Sequence, residues 1–130
     1  MLIESIKHHE GFRGLPYNDH LGFPTIGYGT KLPLDKEEAT LLLEHRLNKM
    51  LNHLSREKPL YSYLPVKVQH ILAEMAYQMG VDGLLKFKKT WEYISEHNYR
   101  TASTEMLNSK WAKQTPERAI KLSKRMYECQ

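Results

Sequence analysis

One cysteine in 130 residues leaves no internal disulfide, so stability here has to come from a packed core. That residue, Cys129, is one position from the chain end, where neither the base nor the cleft that makes a thiol reactive is expected. No apolar run approaches the ~20 residues needed to span a bilayer. The opening MLIESIKHHE sets acids and histidines where a secretory leader would carry its apolar stretch. The expectation is synthesis in a cytoplasm, with no signal peptide or transmembrane segment. Repeats, linkers and low-complexity tracts are missing too, and 41% apolar with 26% charged residues is ordinary for one compact domain over 1–130.

Glycine and proline are few and unevenly placed. Gly14, Gly22, Gly27 and Gly29 alternate with Pro16, Pro24 and Pro33, interleaved with Tyr17, Phe23, Ile26 and Tyr28. Such punctuation excludes a helix and predicts a short hairpin or small sheet over 14–34. Before it, Leu2, Ile3 and Ile6 mark a short helix over 2–10 that Gly11 stops. After it, everything reads as helix. Asp35 with Glu38 forms a capping-box pair, followed by a stripe of Ala39, Leu43, Leu47, Met50, Leu51 and Leu54 on one long helix. Further helices are predicted at 65–79, 84–96 and 99–107, and from Pro116 onward with Thr115 as N-cap. The fold class is α+β, a small β-bearing N-terminal lobe and a larger helical C-terminal lobe joined by the long helix.

A net charge of +4 implies mild attraction to polyanions. From residue 110 onward Lys110, Lys113, Arg118, Lys121, Lys124 and Arg125 face only Glu117 and Glu128. This stretch is either a solvated helix face or an anchor for an anionic surface. No nucleic-acid motif accompanies it, and Trp111 and Tyr77 read as core, so nucleic acid is not expected as a partner. Seven histidines invite a metal reading, but adjacent His8 and His9 diverge on a helix and His45 and His53 are eight apart. Neither a metal nor a cofactor is expected.

Two carboxylates stand in contrasting settings. Glu10 ends a helix, where the macrodipole disfavours negative charge and so favours the protonated form a general acid needs. The dipole alone is worth only about 0.3–1 kcal/mol, so burial against apolar side chains should assist it. Asp19 lies in the polar turn Asn18-Asp19-His20, which should leave it ionised. Such a pair suits glycoside hydrolysis, although fifteen acidic residues make any one spacing unspecific. Arg118 breaks a local rule, a cation in the first turn of a helix.

Glu10-Gly11-x-Arg13, then Tyr17-x-Asp19-x-x-Gly22-x-x-Thr25-Ile26-Gly27-x-Gly29, resembles the catalytic signature of phage-type lysozymes, the endolysins of tailed bacteriophages. Met75-Ala76-Tyr77-Gln78-Met79-Gly80, then Phe87, then Ser109-Lys110-Trp111-x-x-Gln114-Thr115-Pro116-x-Arg118-Ala119, resembles that family's helical lobe. The resemblance spans nearly the whole chain. It implies hydrolysis of the β-1,4 bond between N-acetylmuramic acid and N-acetylglucosamine in peptidoglycan, causing host cell lysis. It makes Glu10 the general acid, with Asp19 and Thr25 holding the attacking water. Lys31, Tyr77 and Thr90 become glycan contacts, and Arg118 and Gln78 supporting residues, Arg118 as the partner of Glu10. It further implies a monomer, made in the host cytoplasm and acting on periplasmic wall after release, with the basic carboxyl-terminal helix able to touch anionic wall or membrane.

Two features depart from the pattern. Thr30 stands where the motif commonly has histidine, which bears on stability more than on chemistry. Only Lys31-Leu32-Pro33-Leu34 separates Thr30 from Asp35, so a trimmed β-lobe is expected. Inversion would require carboxyl groups about 6.5–9.5 Å apart, and a covalent intermediate about 5–5.5 Å. A lytic transglycosylase and a catalytically silent binding protein of the same fold are the alternatives. Retention of Asp19 and Thr25 favours the hydrolase.

Overall fold

A computed structural model describes all 130 residues as two compact units, 1–44 and 45–130. The first opens with α1 (Leu2–Glu10), which Gly11 ends at φ 72°, a conformation that glycine adopts without steric cost. A three-stranded antiparallel sheet follows in the order β1 (Arg13–Asn18), β2 (Pro24–Gly27), β3 (Thr30–Lys31). Arg13 pairs with Gly27 and Tyr17 with Thr25, so the ladder slips in between. Pro16, which has no N–H to give, lies in that gap. On the other side of β2, Thr25 pairs with Lys31 and Ile26 with Thr30. Tyr17, Thr25 and Lys31 are therefore cross-strand neighbours in one row.

The long helix α2 (Lys36–Glu57) begins as expected. Glu38 N–H donates to Asp35 Oδ1 at 2.8 Å and Asp35 N–H to Glu38 Oε1 at 3.0 Å, a reciprocal capping box. Of its predicted apolar stripe only Leu54 is buried, with Met50 and Leu51 half-buried against the core of the second unit and Leu43 exposed.

That second unit is helical. A 3₁₀ turn (Pro59–Tyr63) leads to α3 (Val66–Met79), α4 (Val81–Leu85), α5 (Lys88–Ser95), α6 (Tyr99–Leu107), α7 (Lys110–Gln114) and α8 (Pro116–Tyr127). Val68, Ile71, Leu72, Met75, Leu84, Ile94, Met106 and Met126 form a core at or below 1% exposure. Tyr77 does not join it, contrary to expectation. The buried stripe of α3 runs 68, 71, 72, 75, 76, and position 77 points away from it. Trp111 does join it.

One helix boundary and one helix cap differ from expectation for local reasons. The single helix predicted over 84–96 is two, because Phe87 leaves helical geometry at ψ 57° and the Trp91 indole N–H donates to the Leu84 carbonyl. Thr115 does not cap α8 with its side chain; its hydroxyl donates back to the Trp111 carbonyl at 3.0 Å. Pro116 does open α8, whose buried face is Ala119, Leu122, Ser123 and Met126. Arg118, Lys121, Lys124 and Arg125 are exposed, and Arg125 is ion-paired with Glu74 of α3. No helix is long and apolar enough to cross a membrane.

Helices α6 and α8 are cross-linked by a buried hydrogen bond, Ser123 Oγ to the Ser103 carbonyl at 2.8 Å. Ser123→Ala leaves that carbonyl without its side-chain donor and is expected to cost about 1 kcal/mol, read as a lowered midpoint in urea denaturation.

Candidate active site

The first unit places its polar side chains through backbone geometry. Asp19 follows β1, and Asp19 Oδ1 accepts the N–H groups of Leu21 and Phe23, each at 2.9 Å. Lys31 Nζ donates to Oδ2 at 2.6 Å, leaving the Asp19 side chain only 11% exposed. The lysine hydrogen bond, then the Phe23 and Leu21 amides, hold the Asp19 carboxyl down at about 2. The same bond, with the charges of Asp19 and of Glu10, raises the Lys31 ammonium above its ordinary value.

This depression has a pH consequence of defined sign. Asp19 binds protons more weakly folded than unfolded, so its stabilisation is complete above 3.8 and is lost as pH falls from there through about 2. Urea midpoints measured between pH 6 and pH 2 should fall less steeply in Asp19→Asn than in the wild type across that acid window.

Thr25, on the central strand, is 1% exposed, and its hydroxyl donates to the Phe23 carbonyl at 2.9 Å. The same carbonyl accepts the Asp19 N–H, also at 2.9 Å. One residue's main chain thus anchors both Asp19 and Thr25. With its proton on that carbonyl, the Thr25 hydroxyl keeps its lone pairs for another donor.

Glu10 is the last residue of α1 and is exposed; the apolar burial anticipated for it is absent. Its carboxylate lies against the backbone of Gly29, in the turn between β2 and β3. A Cβ built there would stand 2.5 Å from Oε2 and 2.7 Å from Cδ. Gly29 also has φ +72°, so two independent constraints keep it glycine.

The other anticipated residues lie in the second unit. Gln78 Oε1 accepts the Trp111 indole N–H at 2.9 Å, and the rings of Phe87 and Trp111 meet edge to face with centroids 6.1 Å apart. These residues and Thr90 line a cavity of about 650 Å³. Thr90 is only 2% exposed, Tyr77 is 49% exposed, and Arg118 is exposed in the first turn of α8. Lys86, Lys88, Lys89 and Lys110 also line this cavity, a cationic wall the sequence reading missed. The run Lys86-Phe87-Lys88-Lys89 was its visible signal. No three His, Cys, Asp or Glu side chains gather where they could hold a metal ion. Burial pushes the Cys129 thiol up, away from the reactive thiolate.

A helix ending in a glutamate, a small sheet carrying an anchored aspartate and threonine, and a helical body of this kind define a lysozyme-type α+β protein. The chain belongs to the phage lysozyme family, whose sequence model matches residues 7–128. It is 28% identical to probable T4-type lysozyme 2 of Dictyostelium discoideum, over 91% of this chain and 88% of the relative. That alignment runs over 150 residues, more than this chain possesses, so the relative carries segments that this chain lacks. The chain is also 28% identical to the pre-baseplate central spike protein Gp5 of Enterobacteria phage T4, over 94% of its own length but 27% of the relative's. A shorter stretch, 42% of this chain and 6% of the relative, is 42% identical to the peptidoglycan hydrolase gp36 of Pseudomonas phage phiKMV.

Proposed function

We propose that this protein is a muramidase that hydrolyses the β-1,4 bond between N-acetylmuramic acid and N-acetylglucosamine of peptidoglycan. The observation that carries this reading is the shared anchor. Asp19, held as an anion, and the Thr25 hydroxyl hang from the main chain of one residue, an arrangement suited to holding a single water. Family membership and a relative named as a peptidoglycan hydrolase support the substrate class.

In the proposed reaction Glu10 gives its proton to the glycosidic oxygen as the bond to C1 breaks and oxocarbenium character grows. Water held by Thr25 and Asp19 bonds to C1 from the opposite face, inverting the anomeric centre. A carboxylate as weakly basic as Asp19 is a poor base toward free water. It is an adequate one toward water already bonded to C1, an oxonium far more acidic than a carboxylic acid. The proton therefore passes to Asp19 after the C–O bond forms, and exchange with solvent resets both carboxyls. Arg118 and Gln78 are assigned supporting roles, and Tyr77 and Thr90 are assigned to glycan recognition.

Mass spectrometry of fragments released from purified peptidoglycan tests this reading. Reducing muramic acid ends are expected. Anhydromuramic ends would replace the hydrolase with a transglycosylase, and intact glycan strands would sink glycosidase activity altogether.

A further inference from the structure

Lys31 is in the wrong company for a residue whose only task is to touch sugar. Its ammonium is 2.6 Å from Asp19 Oδ2 and lies beside the Phe23 ring at 5.8 Å, although 62% of its side chain is open to solvent. Across the sheet it pairs directly with Thr25, and it also feels the charge of Glu10. A carboxylate offers about four lone-pair positions. The Leu21 and Phe23 amides take two on Oδ1 and Lys31 takes one on Oδ2, leaving one.

We propose that Lys31 is a positioning residue for Asp19, clamping Oδ2 so that a single lone pair remains, aimed at the attacking water beside Thr25. This rests on the muramidase reading for the role of Asp19, while the clamp itself belongs to the chain alone. Sequence resemblance suggested Lys31 as a glycan contact; the clamp gives it a task on the water side of the reaction. The charged groups around the pair are few. Lys31 on β3 faces Asp19, Glu10 at the end of α1 and Tyr17 on β1 act on Lys31, and no other charged side chain touches Asp19.

Lys31→Met and Lys31→Arg separate the possibilities, and the exposure of Lys31 makes both compatible with folding. The carboxyl titration of Asp19, followed by carbon NMR, is read with no substrate present. In Lys31→Met its midpoint should climb from about 2 toward 3.8, and in Lys31→Arg it should stay low. On peptidoglycan, Lys31→Met should lower kcat about tenfold with KM within about twofold, and the acid limb of kcat should follow the Asp19 midpoint. Lys31→Arg should restore most of the rate. An unmoved midpoint in Lys31→Met overturns the clamp, and a raised KM with unchanged kcat returns Lys31 to glycan contact. Were the wild type inactive on peptidoglycan, the muramidase reading would fall while the NMR titration still decided the clamp.

Discussion

Glu10→Gln is expected to lower kcat on peptidoglycan by about 10²–10⁴-fold while leaving thermal stability within about 0.5 kcal/mol of the wild type. The two halves of this expectation have separate causes. Glutamine preserves the shape of the side chain but has no proton to give the leaving oxygen. Glu10 is exposed, on a helix with no buried residue, so the fold loses little when its charge is removed. Turbidity clearing of permeabilised cells gives the first measure and a thermal melt the second. A variant retaining a tenth or more of the wild-type rate would remove Glu10 from the acid's role.

Gly29→Ala should approach the same loss without touching a titratable group. A methyl at this position would stand 2.5 Å from Glu10 Oε2, so the carboxylate has to move by about an ångström. Misplacement of that size costs about hundredfold in rate. Alanine at φ +72° adds about 1–2 kcal/mol of backbone strain, a deficit visible in melting but too small to unfold a stable domain. Shortening the acid as well distinguishes displacement from general damage. Gly29→Ala combined with Glu10→Asp should be more active than the sum of the two losses predicts, because the shorter side chain vacates the contested space. Strictly additive losses would mean that Gly29 acts through the fold and not through Glu10.

How much was legible beforehand depended on how local each cause was. Gly11 ending α1, the Asp35–Glu38 box opening α2 and Pro116 opening α8 are events within four residues, and the structure has all three. The break at Lys86–Phe87 was not legible, because its cause is a bond from the Trp91 indole seven residues back to Leu84. Thr115 misled for a related reason. A threonine before proline suits an N-cap, but α7 ends there as well and its Trp111 carbonyl takes the hydroxyl. At the site, the polar turn around Asp19 already indicated an ionised carboxylate, and an aspartate bonding to amides just ahead of it is familiar turn chemistry. The lysine closing over that carboxylate was beyond reach, since the strand pairing sets it twelve residues away. The resemblance supplied Arg118 and Gln78 with roles that spacing alone would not have suggested. Of the two, Gln78 has a visible partner in the Trp111 indole.

The turn from Asp19 to Thr25 carries a consequence for how this protein can diverge. Its contacts to Asp19 come from main-chain N–H groups at positions 21 and 23, and Thr25 leans on a main-chain carbonyl. The side chains there, Leu21 and Phe23, are 67% and 53% exposed. Substitution at either position leaves the hydrogen bonds untouched, with proline the exception because it has no N–H to donate. The side chains on the surface of this loop can therefore drift while the hydrogen-bonded turn beneath them keeps its shape.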